Sequence, residues 1–286
     1  MAAGMHQVVR GIASGRHYGS SGSYPVGLGV DAVAERPDGT PVYTGFARAP
    51  WGTMAERLAT PFEIPLPAEA DPLHIAAGMN PAMSGFMPLA AHLERNGALG
   101  TVAVLGATGI AGRAAVQAAR ALGAERVIAA GRDRATLEEL AEAGAEPVRL
   151  TGDAGSGEAD PLRTAFDRGL PSLVLDYVWG SAAESAFSAL ERRGLQDDDA
   201  AISYVQIGSM AGADAVVPAS LLRSRRITLS GSGAGSLSTE QLMAQLPRLM
   251  SHLADGTIDV RYTAYALESI ADAWVHTGRS RAVVTR

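Results

Sequence analysis

The segment Thr101 to Leu122, TVAVLGATGIAGRAAVQAARAL, constrains the fold more than any other stretch of the chain. A β-branched apolar run (Thr101 to Leu105) meets a glycine-rich turn that opens directly into an Ala-rich amphipathic helix. Strand, tight turn and helix in that order begin a dinucleotide-binding βαβ unit. Ala107 stands where the first glycine of G-x-G-x-x-G usually sits. Gly109 would let the backbone approach a pyrophosphate, and Gly112 would let the helix pack closely on the strand. Ala107, Thr108, Gly109, Ile110, Ala111 and Gly112 are therefore the candidate phosphate cradle, facing the free N–H groups and partial positive charge of a helix start. A glycine pattern alone also suits a ligand-free turn; the second strand that follows, Arg126 to Ala130, favours the cofactor reading.

The end of that second strand bears on which dinucleotide. NAD-binding units place an Asp or Glu there to accept hydrogen bonds from the ribose 2′-OH. This chain reads Ala129-Ala130-Gly131-Arg132-Asp133-Arg134. Gly131 leaves room, and Arg132, with Arg134 close by, offers fixed donors to a 2′-phosphate. Asp133 falls one step later, where it suits the N-cap of the next helix, Arg134 to Ala143. Both arginines would also fit a solvated helix start, but without the acid the expected cofactor is NADP(H).

With 286 residues, 47% of them apolar, the chain can bury one large core or two moderate ones. No stretch is long and apolar enough to span a bilayer, and the opening MAAGMHQVVR lacks the apolar run of a signal peptide, so a cytoplasmic protein is expected. A net charge of −6 with no basic block argues against nucleic acid or anionic membrane as partner. The chain contains neither cysteine nor lysine: every Lys/Arg position is Arg. That removes thiolate chemistry, Schiff bases, the Walker A lysine and the Tyr-x-x-x-Lys pair of short-chain dehydrogenases.

Residues 1 to about 75 are rich in Gly, Pro and short β-like runs such as Pro41 to Thr44, and read as an irregular β region. Beyond Ala76 strands and helices alternate, with strands expected at 101–106, 126–131, 147–150, 172–178, 202–208 and 226–230. Helix starts are signalled by Asp160-Pro161 and by two capping boxes, Ser181 with Glu184 and Ser238 with Gln241. The loops at 152–159 and 194–200 read as solvated turns. The expected fold is α/β: a doubly wound parallel Rossmann sheet over 78–235, with a β-domain from 1–77 completed by 236–286.

Several motifs together resemble the zinc-independent quinone oxidoreductase branch of the medium-chain dehydrogenase/reductase superfamily. Besides the cofactor turn, Asn80-Pro81-Ala82-Met83-Ser84 is similar to that family's Asn-Pro-x-x-Thr/Ser helix start. Gly52-Thr53-Met54-Ala55-Glu56 resembles its G-T-x-A-E segment, and Leu28-Gly29-Val30-Asp31 its P-G-x-D turn with Leu in place of Pro. Ile270 to Trp274 and Arg281 to Val284 fit its C-terminal pattern. The opening Ala2-Ala3-Gly4-Met5-His6 resembles its A-A-G-x-N, with His for Asn, a motif that in the family follows about thirty residues of β-structure. The resemblance therefore implies a GroES-like β-domain lacking its first strands, which exposes edges and predicts a homodimer or larger assembly.

The resemblance also implies which residues meet the cofactor: Asn80, Tyr177, Val178, Ile207, Gly208 and Ser232, besides the cradle itself. A zinc ion is not expected. A catalytic site needs three ligands, whereas His6, His17, His74, His92, His252 and His276 show no ligand spacing and there is no cysteine. What remains is hydride transfer to a quinone or α,β-unsaturated carbonyl, which needs orientation, exclusion of water and a proton source. Tyr18 and His6 are the candidate catalytic residues, with solvent as the alternative donor. Trp51 and Trp179 are candidate pocket walls, Trp179 equally a core residue. The competing reading is a non-catalytic NADPH-binding redox sensor or scaffold.

Overall fold

The computed structural model describes residues 1–20, 22–47, 50–150, 160–192, 194 and 199–286. The chain opens with β1 (Ala2–Gly4), α1 (Gln7–Ala13), β2 (Asp31–Glu35), β3 (Pro41–Gly45), β4 (Ile64–Pro65) and the long helix α2 (Pro72–Asn96). Strands and helices then alternate through β5 (Thr101–Leu105), α3 (Ile110–Ala121), β6 (Arg126–Gly131), α4 (Arg134–Glu142), β7 (Glu146–Arg149) and α5 (Pro161–Asp167). The alternation continues with β8 (Leu173–Asp176), α6 (Gly180–Leu190), β9 (Ala201–Gln206), α7 (Ala219–Ser224), β10 (Arg226–Gly231) and α8 (Thr239–Ala254). The chain closes with β11 (Tyr262–Ala266), α9 (Ile270–Val275) and β12 (Arg281–Thr285).

Two compact units result, Met1–Met83 with Leu246–Arg286, and Ser84–Gln245. Their borders fall inside α2 and α8, whereas the sequence places them near residues 77 and 235, where the texture changes. A continuous helix hides such a border from any compositional signal.

The second unit is the doubly wound sheet expected from sequence. Six parallel strands run in the order β10-β9-β8-β5-β6-β7. β5 and β8 are central and almost wholly buried, which is why they read as continuous apolar runs and not as alternating ones. The order reverses between them, so the crevice beyond their carboxyl ends is where such sheets bind ligands. On one side Phe166, Phe187, Leu190 and Tyr204 pack with Leu105, Ile128 and Val174 into a core. Asp160 caps α5 by accepting from Leu162 N (2.9 Å), and Ser238 and Gln241 form their reciprocal box at 3.0 and 3.1 Å.

The first unit carries a six-stranded sheet ordered β11-β12-β1-β2-β3-β4, antiparallel except for β11 against β12. Ala2 pairs with Thr285 on one side and Val33 on the other, so the two ends of the chain meet in mid-sheet. Met5, Val9, Ala273, Ala282 and Val284 form its small apolar core.

Three local expectations fail for physical reasons. Residues 7–13 are a helix within the supposed β region, with Val9 buried in that core. The Asn80–Ser84 segment lies mid-helix, because α2 has already started at Asp71-Pro72, where Asp71 Oδ1 accepts from Leu73 N at 2.9 Å. Ser181 and Glu184 form no box: α6 begins earlier, on Trp179 as N-cap, and Glu184 accepts from Val216 N. The loop expected at 152–159 lies outside the described residues, as does most of 194–200.

Candidate functional site

The turn after β5 is held to the neighbouring strand by its own backbone. Gly106 N and Ala107 N both donate to Ala130 O at 2.9 Å. Gly106 has φ +87°, a conformation that favours glycine. A Cβ on Gly112 would lie 2.2 Å from Gly106 O and 2.8 Å from Ala107 Cα, so only glycine lets α3 start this close to the turn. Gly109 differs: a Cβ there would meet only Gly106 O, at 3.5 Å. Protein packing does not demand glycine at 109, whereas a ligand approaching the backbone does. Gly109 is also the N-cap of α3 and has no side chain to satisfy the first N–H groups of the helix. The residues present thus fit a pyrophosphate.

At the end of β6, a Cβ on Gly131 would lie 2.5 Å from Thr108 Cγ2. Any side chain at this position would have to move that of Thr108. Asp133 caps α4, its Oδ1 accepting from Thr136 N at 2.8 Å, as its position after the strand suggests. Arg132 and Arg134 are exposed. Arg134 is engaged by Glu138 at 2.9 Å, leaving Arg132 the better placed to meet a phosphate.

The ends of β8 and β9 form the other half of the crevice. Asp176, fully buried, accepts from Val178 N (2.8 Å) and Trp179 N (2.9 Å) through Oδ1 and from the Tyr204 hydroxyl (2.6 Å) through Oδ2. Burial pushes the Asp176 carboxyl above its usual range, and these three hydrogen bonds oppose the shift. Ile207 N and Gly208 N donate to Asp176 O at 2.7 and 3.1 Å. Tyr177 is buried, with its hydroxyl 3.1 Å from Ser84 Oγ and its acidity suppressed by burial. Gln206 links the neighbouring segments, donating to Gly208 O (2.9 Å) and accepting from Ser232 N through its main-chain oxygen (2.8 Å). The unit thus brings together the cradle, Gly131, Arg132, Tyr177, Val178, Ile207, Gly208 and Ser232 along one edge of the parallel sheet.

Trp179 is half-buried and packs against the aromatic cluster, edge-on to Phe187 and Tyr204. Asp176 and Tyr204 escaped the sequence reading as functional residues. An acid closing the apolar run Leu173-Val174-Leu175 is the available signal, since Asp is almost never fully buried unless paired.

The other unit holds the two candidate catalytic residues, and His6 is buried. It is 1% exposed, with Nε2 lying 3.1 Å from Asp31 Oδ1, so nothing reaches the ring without displacing its surroundings. Burial lowers its pKa against the opposing pull of Asp31. Asp31 also accepts from the buried Tyr43 hydroxyl (2.9 Å), while Arg281, its pKa drawn down to about 10 by burial, donates to Met5 O. Tyr18 is 74% exposed, its ring stacked obliquely against His17. Asn80 is half-buried within α2. An open groove of about 880 Å³ crosses this unit over Ala2, Val33, Val42, Met54 and Val284, and neither His6 nor Tyr18 lines it. Among the described residues no group of three or more His, Asp or Glu could hold a metal ion, and no helix is long and apolar enough to cross a membrane.

Residues 111–251 match the family model described as zinc-binding dehydrogenase. The chain is 32% identical over 218 residues to the Emericella nidulans protein named "Probable NADPH-dependent quinone reductase tdiC". That match covers 71% of this chain but only 58% of the curated relative's length. Among solved structures, the quinone oxidoreductase of Thermus thermophilus, known also in complex with NADPH, superposes with a TM-score of 0.74 at 24% identity. The yhdH oxidoreductase of Salmonella enterica, in complex with NADP, gives 0.70 at 19%. Both alignments cover 100% of this chain and 89% of the other, and at these identities they speak for the fold.

Proposed function

The chain belongs to the medium-chain dehydrogenase/reductase superfamily, alongside its quinone oxidoreductases, and from that premise we propose that it is an NADPH-dependent oxidoreductase acting on a quinone or an α,β-unsaturated carbonyl without a metal ion. The observation that carries the reading is the cradle: a helix start without a side-chain cap, room above Gly109, and a strand end where Gly131 fits beneath Thr108 and Arg132 stands in place of an acid. NADPH, when bound, supplies the hydride. The chain's own residues bind and orient. The N–H groups of Ile110, Ala111 and Gly112 face the pyrophosphate, Arg132 meets the 2′-phosphate, and backbone at Val178, Ile207 and Gly208 lies beside the nicotinamide end. Asn80 remains a proposed cofactor contact.

Tyr18 is the one of the two sequence candidates exposed enough to give a proton to the reduced substrate; otherwise water gives it. The metal-free reading rests on the donor set, six scattered histidines and no cysteine. We assign the protein to the cytoplasm and read it as a homodimer, since β10 is an open sheet edge along which Ile227 and Leu229 are only partly covered. The burial of His6 favours one second reading, a non-catalytic NADPH sensor, because it removes a candidate acid.

NADPH oxidation against a panel of quinones and enones separates the two readings, since binding without turnover identifies the sensor. Titration with both cofactors tests the choice between them. NADPH should bind roughly ten- to a hundredfold more tightly than NADH, and Arg132→Ala should abolish the preference. Stoichiometric zinc in protein purified without added metal would overturn the metal-free reading.

A further inference from the structure

Asp176 occupies an unusual junction. Its side chain turns back to hold the second and third residues beyond β8, Val178 and Trp179, and its main-chain oxygen receives the two residues beyond β9. One residue therefore fixes both segments that carry Val178, Ile207 and Gly208. The segment it holds does not keep its shape cheaply: Trp179 has φ +54° and Gly180 φ +56°, the left-handed region that a tryptophan rarely adopts. A Cβ on Gly180 would lie 2.8 Å from the backbone of Ala211, so the turn is also tightly enclosed. Three donors converge on the carboxylate, and among side chains only an ionised Asp or Glu is acceptor-only at both oxygens.

The third donor comes from far away in sequence. Val174 and Tyr204 are register partners across β8 and β9, which places the Tyr204 ring under the turn and its hydroxyl 2.6 Å from Asp176 Oδ2. The same ring packs with Phe187 and edge-on with Trp179, so carboxylate and tryptophan are held from one anchor.

We infer that Asp176, locked by Tyr204, is a positioning residue that sets the nicotinamide-facing backbone of the proposed cofactor site. The inference rests on the NADPH reading above and goes beyond it by naming what holds that backbone in shape. Asp176 acts on the cofactor only through that backbone. It preorganises the loop, while the phosphate cradle and Arg132 are built on β5 and β6 and take no hydrogen bond from its side chain.

That difference makes the test. Two probes are compared: NADPH, and 2′-phospho-ADP-ribose, which is the cofactor without its nicotinamide. Asp176→Ala should weaken NADPH roughly tenfold, the scale of one lost charge-assisted interaction, and leave 2′-phospho-ADP-ribose within about twofold. Asp176→Asn keeps Oδ1 for both backbone donors and should recover most of the NADPH affinity. Tyr204→Phe should show the same split in weaker form, and it carries the test if the alanine variant does not fold. Amide hydrogen exchange at Val178 and Trp179 should accelerate in Asp176→Ala without any ligand present. Equal losses for both probes, or unchanged NADPH affinity with unchanged exchange, overturn the inference. Wild-type protein that binds neither probe overturns the NADPH reading instead, and exchange at the two amides then decides whether the carboxylate holds the loop.

Discussion

Each of the two sheets buries one aspartate against a tyrosine hydroxyl, and the two are otherwise unlike. In the parallel sheet, Asp176 meets Tyr204 and two backbone N–H groups, none of which changes charge near neutral pH. In the β unit, Asp31 meets Tyr43 and the His6 ring, with Arg281 close enough to shift His6 electrostatically. Burial raises the carboxyl of Asp176 and lowers the imidazolium of His6. One aspartate is thus a backbone clamp. The other sits in a network whose charge depends on pH, although the two sites are equally dry.

The largest expected effect tests the clamp. Asp176→Ala leaves one buried and two part-buried donors without their acceptor, and after relief of the buried charge should cost about 3 kcal/mol, measured by urea denaturation. A loss near zero would mean that the loop beyond β8 is held by packing alone. Next comes Gly112→Ala, whose Cβ would press on Gly106 O at 2.2 Å. It should cost about 2 kcal/mol, the scale of an overpacked core, and should weaken NADPH binding as well. Ser238→Ala removes half of the box on α8 and should cost about 1 kcal/mol, with thermal melting as the readout.

The smallest effects separate the two aspartates most sharply. His6 has a folded pKa below its ordinary 6.5, so the unfolded chain takes up more protons as pH falls through that value. The associated stability is complete above pH 6.5 and declines below it. His6→Asn should remove this part of the pH profile. Asp176 has the opposite sign, since its folded pKa lies above 3.8. Its contribution is most favourable below pH 3.8 and declines as pH rises through the raised value, a slope that Asp176→Asn should erase. Melting temperatures of wild type and both variants across pH check this, and slopes of the same sign at the two sites would break the comparison.

The parallel sheet is the legible half of the molecule. Its strands are short apolar runs separated by helices, and Asp160-Pro161 and Ser238 with Gln241 act within three residues of themselves. The β unit is less legible because its elements owe their form to distant partners. Gln7–Ala13 contains two valines and a glycine, poor helix formers, and is helical because Val9 buries itself beside Ala273, Ala282 and Val284. The same holds within the candidate site. The cradle can be read from six consecutive residues, whereas Asp176 gains its meaning from Tyr204, which only strand register brings to it. Ser181 and Glu184 mislead for the converse reason: the motif is local, but Val216 N takes the Glu184 carboxylate.

The meeting of the chain's two ends inside one sheet has a topological consequence. With Ala2 and Thr285 in register and Arg286 N 3.5 Å from Met1 O, residues 1–286 trace an almost closed ring. A short peptide joining Met1 to Arg286 would make that ring covalent without disturbing β1 or β12. New ends could then be cut at a surface turn, such as the one at Pro37–Gly39 between β2 and β3. Ring closure would act on the unfolded chain, by denying it the conformations in which its ends part. Anything fused to either end of the linear chain, by the same geometry, must leave the sheet at a single point.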